Sequence, residues 1–383
     1  MNVGIQETKN RTTNKNSRIM IAIVIVCFYI LLMLFSALAD YNNDWSPFYP
    51  VIQNGVLVDS LKNALIRTTF SVFSTLIIFL AFFLGIKEIG DVFYRTNKKI
   101  IYWFIGVNSV FYLVITFTNI VITQFHNIYQ DLDNIPSKIH VSLEWLNNYR
   151  GSVDFSFLGL MGLMVITHFV LILYLLKKVN RFNKKDIINA FGLWIFFSCG
   201  IYGITYTVLN NGWTTFLYLL LLVSMNDSFA YAFGKRFGKT KMVPNISPNK
   251  TWGGAIYGLI TTLLIMLFVT VLYNIPIFIK NAAESQTTLD KVDPNNLIAN
   301  IYYLTTYWQS QRFVWFWWFF VALMIFFLSI VSILGDLYFS YVKRQYQIKD
   351  YSTILKGHGG ILDRFDSVCF VFIAFMIFRI FLS

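Results

Sequence analysis

Nine apolar runs dominate the chain, at residues 19–39, 68–86, 100–123, 155–176, 187–208, 213–233, 252–273, 313–334 and 365–382. Each is close to the length of about 20 mostly apolar residues that a helix needs to cross the hydrocarbon core of a bilayer. Polar residues gather between the runs instead of alternating within them. That pattern predicts membrane spans, not amphipathic surface helices or half-buried strands. The expectation is therefore an all-α, polytopic membrane protein with about nine transmembrane helices. Leu209-Asn210-Asn211-Gly212 is a turn signal that separates the fifth run from the sixth. The ninth run is short and holds Arg379, whose long side chain can snorkel to the interface. The first run follows a basic tail and ends in Ala37-Leu38-Ala39, similar to a signal-peptide cleavage site. Its apolar stretch from Ile19 to Phe35 nevertheless exceeds the about 7–15 residues of a signal-peptide core, so a retained anchor is expected.

Composition supports the pattern. Of 383 residues, 56% are hydrophobic and 13% charged, with a mean hydropathy of +0.58. A soluble domain carries about 25% charged residues, and a disordered chain has far fewer apolar ones. The charges are unbalanced, at +12 overall. With the N-terminus cytosolic, the segments 1–18, 87–99, 177–186, 234–251 and 335–364 face inward and hold 23 of the 31 Lys and Arg residues. The outer segments hold seven, and Arg379 lies within the last run. This is a strong positive-inside bias. It assigns the basic surplus to the membrane side and to anionic ligands, not to nucleic acid. The organisation expected is a basic cytosolic tail (1–18), an N-terminal transmembrane region (19–186) and a C-terminal transmembrane catalytic region (187–383). Cys27, Cys199 and Cys369 lie inside apolar runs without a CxxC pattern and read as small core side chains. His126 and His140 fall in outer loops and His168 in the fourth run; none is given chemistry.

The candidate chemistry is acidic and lies on the inner side. Carboxylates at membrane depth are costly and therefore informative. Asp227 precedes Lys235-Arg236 by eight residues, and Asp336 precedes Lys343-Arg344 by seven. At 1.5 Å per residue, both sit roughly 10–12 Å beneath a basic pair. Asp363 and Asp366 are three apart, so on a helix they share a face. Paired carboxylates suit Mg²⁺, which also takes water and substrate phosphates. His358-Gly359-Gly360 precedes them, and the glycines allow close backbone approach while a helix start favours anions. In the loop 234–251, Ser247-Pro248 reads as an N-cap and first-turn pair, with Lys239, Lys241 and Lys250 nearby. That combination suits a phosphate. It is not a P-loop, because only three residues separate Gly234 from Gly238. An ion channel or transporter would spread polar residues to both sides, and no Asp-Gly-x-x-Ala-Arg of a CDP-alcohol phosphotransferase occurs.

These residues resemble a known family. The run from Ser340-Tyr341-Val342-Lys343-Arg344 through Lys349-Asp350 to His358-Gly359-Gly360-Ile361-Leu362-Asp363-Arg364-Phe365-Asp366 is similar to the signature of the phosphatidate cytidylyltransferases, or CDP-diacylglycerol synthases. Gly335-Asp336-Leu337 and Ser247-Pro248-Asn249-Lys250-Thr251-Trp252 resemble that family too, so the likeness covers roughly 220–383. Two positions depart from it: Gly253 stands where the family usually has Glu, and Lys356 where it usually has Pro. The resemblance implies a reaction of CTP with phosphatidate to give CDP-diacylglycerol and pyrophosphate, with Mg²⁺ and room for a second cation. It implies Asp227, Asp336, Asp363 and Asp366 as metal ligands. Asp336, Asp363, Asp366, Lys343 and Arg344 are the expected catalytic set. Lys239, Lys241, Ser247, Lys250, Lys349, His358, Gly359, Gly360 and Arg364 are expected to bind substrate. It further implies a homodimer among membrane lipids; the charge bias puts the site on the cytosolic side, in the plasma membrane if the source is prokaryotic.

Overall fold

The computed structural model describes residues 23–38, 52–53, 56–133, 149–180, 183–284, 311–354 and 359–382. Among these residues lie nine helices: α1 (Ile23–Leu38), α2 (Val58–Tyr94), α3 (Lys98–Asp133), α4 (Tyr149–Lys178), α5 (Lys184–Asn210), α6 (Gly212–Phe237), α7 (Trp252–Glu284), α8 (Gln311–Gln345) and α9 (Leu362–Leu382). Every apolar run has a helix on its described part. Six segments are long and apolar enough to cross a membrane: Thr68–Tyr94, Lys98–Val121, Lys184–Leu209, Gly212–Phe237, Trp252–Leu272 and Trp318–Gln345. The turn between α5 and α6 falls at Asn211, and Gly212 takes a φ of 75°.

Two short antiparallel hairpins depart from the all-α expectation. One joins β1 (Ile52–Gln53) to β2 (Val56–Leu57), and the other joins β3 (Lys241–Val243) to β4 (Ser247–Thr251). The second hairpin corrects the reading of Ser247-Pro248 as a helix start. Both residues lie on β4, and Val243 pairs with Ser247 and Lys241 with Thr251. A two-stranded ladder has only edges, where a proline without an N–H is tolerated. The true cap of α7 is Thr251, whose Oγ1 accepts the Gly254 N–H at 3.1 Å.

The chain divides into two compact units. The first comprises Met1–Leu209 with Asp350–Asp363, the second Asn210–Lys349 with Arg364–Ser383. The core of the first is built around Trp194, fully buried on α5, whose Nε1 donates to Asn108 Oδ1 at 2.6 Å. Asn108 in turn donates to Phe104 O at 2.7 Å, and the hydroxyls of Tyr112 and Thr205 meet at 2.9 Å. Such pairings satisfy polar groups that hydrocarbon would leave bare. His168 stacks on Trp194 with ring centroids 4.6 Å apart, so its role is packing.

The second unit is held by close helix contacts. On α7, a Cβ at Gly254 would meet Ala230 O of α6 at 2.5 Å, the small-residue packing of membrane helices. Asn226 of α6 donates to Ser329 O of α8 at 3.1 Å. Phe370 of α9 packs on Tyr338 and Phe339 of α8. Outward faces are apolar in both units: Trp103 is 73% exposed and Phe268 62%. An apolar exterior of this kind suits lipid, not water.

Candidate active site

Three carboxylates of the second unit come together. Asp336 on α8 acts electrostatically on both Asp227 on α6 and Asp366 on α9, and Asp227 also acts on Asp366. The reason is local. At Gly335, a Cβ would meet Asp366 O at 2.8 Å and Phe370 Cβ at 3.0 Å. Only a residue without a side chain lets α8 and α9 cross this closely, and Asp336 follows it directly. Asn226, fully buried, ties α6 to α8 one residue before Asp227.

Two lysines accompany the carboxylates. Lys250 Nζ lies 2.6 Å from Asp336 Oδ2 and 3.5 Å from Ile333 O. Lys343, buried on α8, acts electrostatically on Asp366. Asp336 Oδ1 accepts the Ser340 hydroxyl at 3.2 Å, and Asp366 Oδ1 accepts the Ser367 N–H at 2.7 Å. Lys250 reaches the cluster because β4 returns the chain toward α8. Arg344 secures the same hairpin: its Nε donates to Ile246 O at 3.2 Å and its Nη1 to Ile348 O at 3.1 Å. Lys239, Lys241 and Lys349 are exposed in this unit, Ser247 is half-buried on β4, and Arg364 is exposed on α9.

The other expected residues belong to the first unit. Asp363 Oδ2 accepts the N–H groups of Gly360 at 2.8 Å and of Tyr351 at 3.0 Å. Gly359 has a φ of 80°, a left-handed conformation that favours glycine. His358 lies outside the described residues. Glu88 was not anticipated from the sequence. It lies on α2, is fully buried, and accepts the Ser352 hydroxyl at 2.5 Å and the Ile361 and Leu362 N–H groups at 2.9 Å each. The segment 87–99 reads as a basic loop, which hides Glu88; in the structure α2 continues to Tyr94. A lone acid beside an apolar run was the available signal.

The donor set suits a hard divalent cation. Carboxylate oxygens are its natural ligands, and the Lys250 ammonium on Asp336 marks a place where positive charge is held. Among the described residues, no group of three or more His, Cys, Asp or Glu side chains is placed to hold a metal ion by itself. Mg²⁺ does not require one, since it uses one or two carboxylates and completes its shell with water and substrate phosphates.

Comparison with known proteins agrees with this chemistry. Residues 64–382 match the model of the cytidylyltransferase family. A Mycoplasma pneumoniae protein provisionally named a phosphatidate cytidylyltransferase is 30% identical over 97% of this chain and 93% of its own length. The phosphatidate cytidylyltransferase of Staphylococcus haemolyticus is 35% identical over 54% of this chain and 65% of its own. That of Rickettsia conorii is 30% identical over 45% of this chain and 60% of its own. With the match spanning most of its length, the chain belongs to the cytidylyltransferase family.

Proposed function

We infer that the chain carries the reaction of its named relatives: CTP and phosphatidate give CDP-diacylglycerol and pyrophosphate, a step of phospholipid biosynthesis. The observation that supports this most directly is the trio Asp227, Asp336 and Asp366 with Lys250 and Lys343 among them. An oxygen of the phosphatidate phosphate attacks the α-phosphorus of CTP. A new P–O bond forms, the bond to the bridging oxygen of the β-phosphate breaks, and pyrophosphate leaves. The second pKa of a phosphate monoester is about 6, so near pH 7 the nucleophile is largely a dianion and needs little help from a base. Catalysis is then alignment and neutralisation of charge.

Asp227, Asp336 and Asp366 would hold Mg²⁺, which supplies charge neutralisation to the triphosphate when bound. Asp363 lies in the first unit, where its Oδ2 already holds two amides. Lys250 and Lys343 neutralise phosphate oxygens beside the carboxylates. Lys239, Lys241 and Lys349, all exposed, attract the polyanion, while Arg344 keeps the hairpin in place. Nine spans with a cytosolic N-terminus put this site on the cytosolic side of the plasma membrane, where a soluble nucleotide meets a lipid phosphate at one depth. The protein acts as a homodimer. The test is conversion of labelled CTP by the purified protein in detergent with phosphatidate and Mg²⁺. Labelled CDP-diacylglycerol is the expected product, and its absence while another lipid phosphate reacts would reassign the substrate.

A further inference from the structure

We propose that Glu88 is a positioning residue for nucleotidyl transfer, acting through Ser352 and the segment 360–362 that leads into α9. This rests on the function proposed above. A fully buried carboxylate on a membrane helix is kept only where it is well partnered. Among the described residues Glu88 has three donors: the Ser352 hydroxyl and, in the segment entering α9, the backbone amides of Ile361 and Leu362. A carboxylate offers about four lone-pair sites, so the segment fills most of its capacity.

The two amides belong to the start of α9, where N–H groups have no partner within the helix. Glu88 takes those of Ile361 and Leu362, and Asp363 takes that of Gly360. Protein carboxylates thus occupy the amides that a helix start could otherwise offer to a substrate phosphate. Gly360 belongs to the same device, because a Cβ there would collide with the Glu88 carboxylate. The Gly359-Gly360 pair therefore forms a socket for an internal acid. Asp363, a residue of the expected catalytic set in the same unit, is the second residue of α9. A helix start pinned by a buried carboxylate fixes where the Asp363 side chain begins, and misplacement by about 1 Å can cost about 10²-fold in rate.

The test compares Glu88→Gln and Ser352→Ala with the unaltered full-length protein in detergent, using CTP, phosphatidate and Mg²⁺. Glutamine keeps the shape but turns one acceptor into a donor facing the amides. In Glu88→Gln, kcat is expected to fall about 10²-fold, with KM for both substrates within about threefold. Hydrogen exchange at Ile361 and Leu362 should accelerate, while that of the Trp194 core stays slow. Ser352→Ala, which removes one donor and keeps the carboxylate, should fall between the two. An unchanged kcat in Glu88→Gln, or a loss of rate that comes with faster exchange throughout α2–α5, overturns the proposal. If Glu88→Gln fails to insert, Ser352→Ala decides, with an unchanged kcat and unchanged exchange counting against. Should the unaltered protein not use phosphatidate, the functional reading fails, and exchange at Ile361 and Leu362 still decides whether Glu88 holds the segment.

Discussion

Lys250 Nζ and Asp336 Oδ2, 2.6 Å apart, join a two-stranded hairpin to the middle of a membrane helix. Their side chains are 24% and 29% exposed, so solvent screens the pair only in part. The contact places an ammonium beside two carboxylates, Asp336 and Asp227, and fixes the hairpin to α8 together with Arg344.

Removing that ammonium should affect chemistry more than folding. A surface ion pair contributes about 0–1 kcal/mol, and breaking a buried one costs about 3–5 kcal/mol. For this partly exposed pair, Lys250→Met is expected to lower stability by roughly 1–2 kcal/mol. The loss in kcat/KM for CTP should be larger in effect, about 10²-fold, because a charge aimed at the phosphates is gone. Steady-state kinetics with a parallel thermal melt separates the two. A variant with normal kcat/KM would remove Lys250 from the site.

Asp366 feels the charges of Asp336, Asp227 and Lys343. Asp366→Asn keeps the acceptor for the Ser367 N–H and removes the charge. It is expected to abolish transfer from CTP while the protein still inserts in the membrane, since the local hydrogen bond survives. Product formation and membrane fractionation read the two halves. Full activity would sink the assignment of Asp366 to the cation.

The cation itself is open to titration. Activity should vanish in EDTA and return with Mg²⁺. Asp336→Asn should need more Mg²⁺ for half-maximal rate, by about tenfold, the scale of one lost charge-assisted interaction. An unaltered Mg²⁺ curve in that variant would place the cation elsewhere.

Much of this arrangement was legible in the sequence because apolar length and buried charge are local signals. Each apolar run carries a helix on its described part, Asp227 and Asp336 stood out as acids at membrane depth, and Asp366 through its helical spacing from Asp363. Three features were not legible. Ser247-Pro248 carries helix-start chemistry, yet its conformation is decided by pairing across the hairpin with Val243 and by the competing cap at Thr251. Glu88 has no local partner at all. Its donors lie more than 260 residues away, so only the folded chain reveals why an acid is kept there. The same holds for Gly335, whose meaning is the approach of Asp366 O and not its own backbone.

Gly335→Ala tests that approach. A Cβ at 2.8 Å from a backbone oxygen forces α8 and α9 apart, and overpacking of this sort costs about 1–3 kcal/mol. The shift would separate Asp336 from Asp366. Activity is expected to fall at least about tenfold, more than the loss of folded protein explains. A thermal melt beside the rate measurement checks this, and normal kinetics would show that the crossing tolerates the methyl group.

Gly253 offers the opposite kind of test, because the family resemblance would place a glutamate there. Restoring it by Gly253→Glu should not improve the enzyme. A Cβ at this position would meet Phe237 O at 2.9 Å and Gly238 Cα at 3.5 Å, so the side chain has to push against the end of α6. That end leads directly into the hairpin that carries Lys250. Strain of about 1–3 kcal/mol is expected. The rate should drop as well, since the displaced hairpin draws Lys250 away from Asp336. Gly253→Ala, which brings the same Cβ without the carboxylate, should reproduce most of both effects. If Gly253→Glu were instead faster than the unaltered protein while Gly253→Ala were slower, the carboxylate would be contributing chemistry that this chain forgoes, and backbone packing would not be the reason for its glycine.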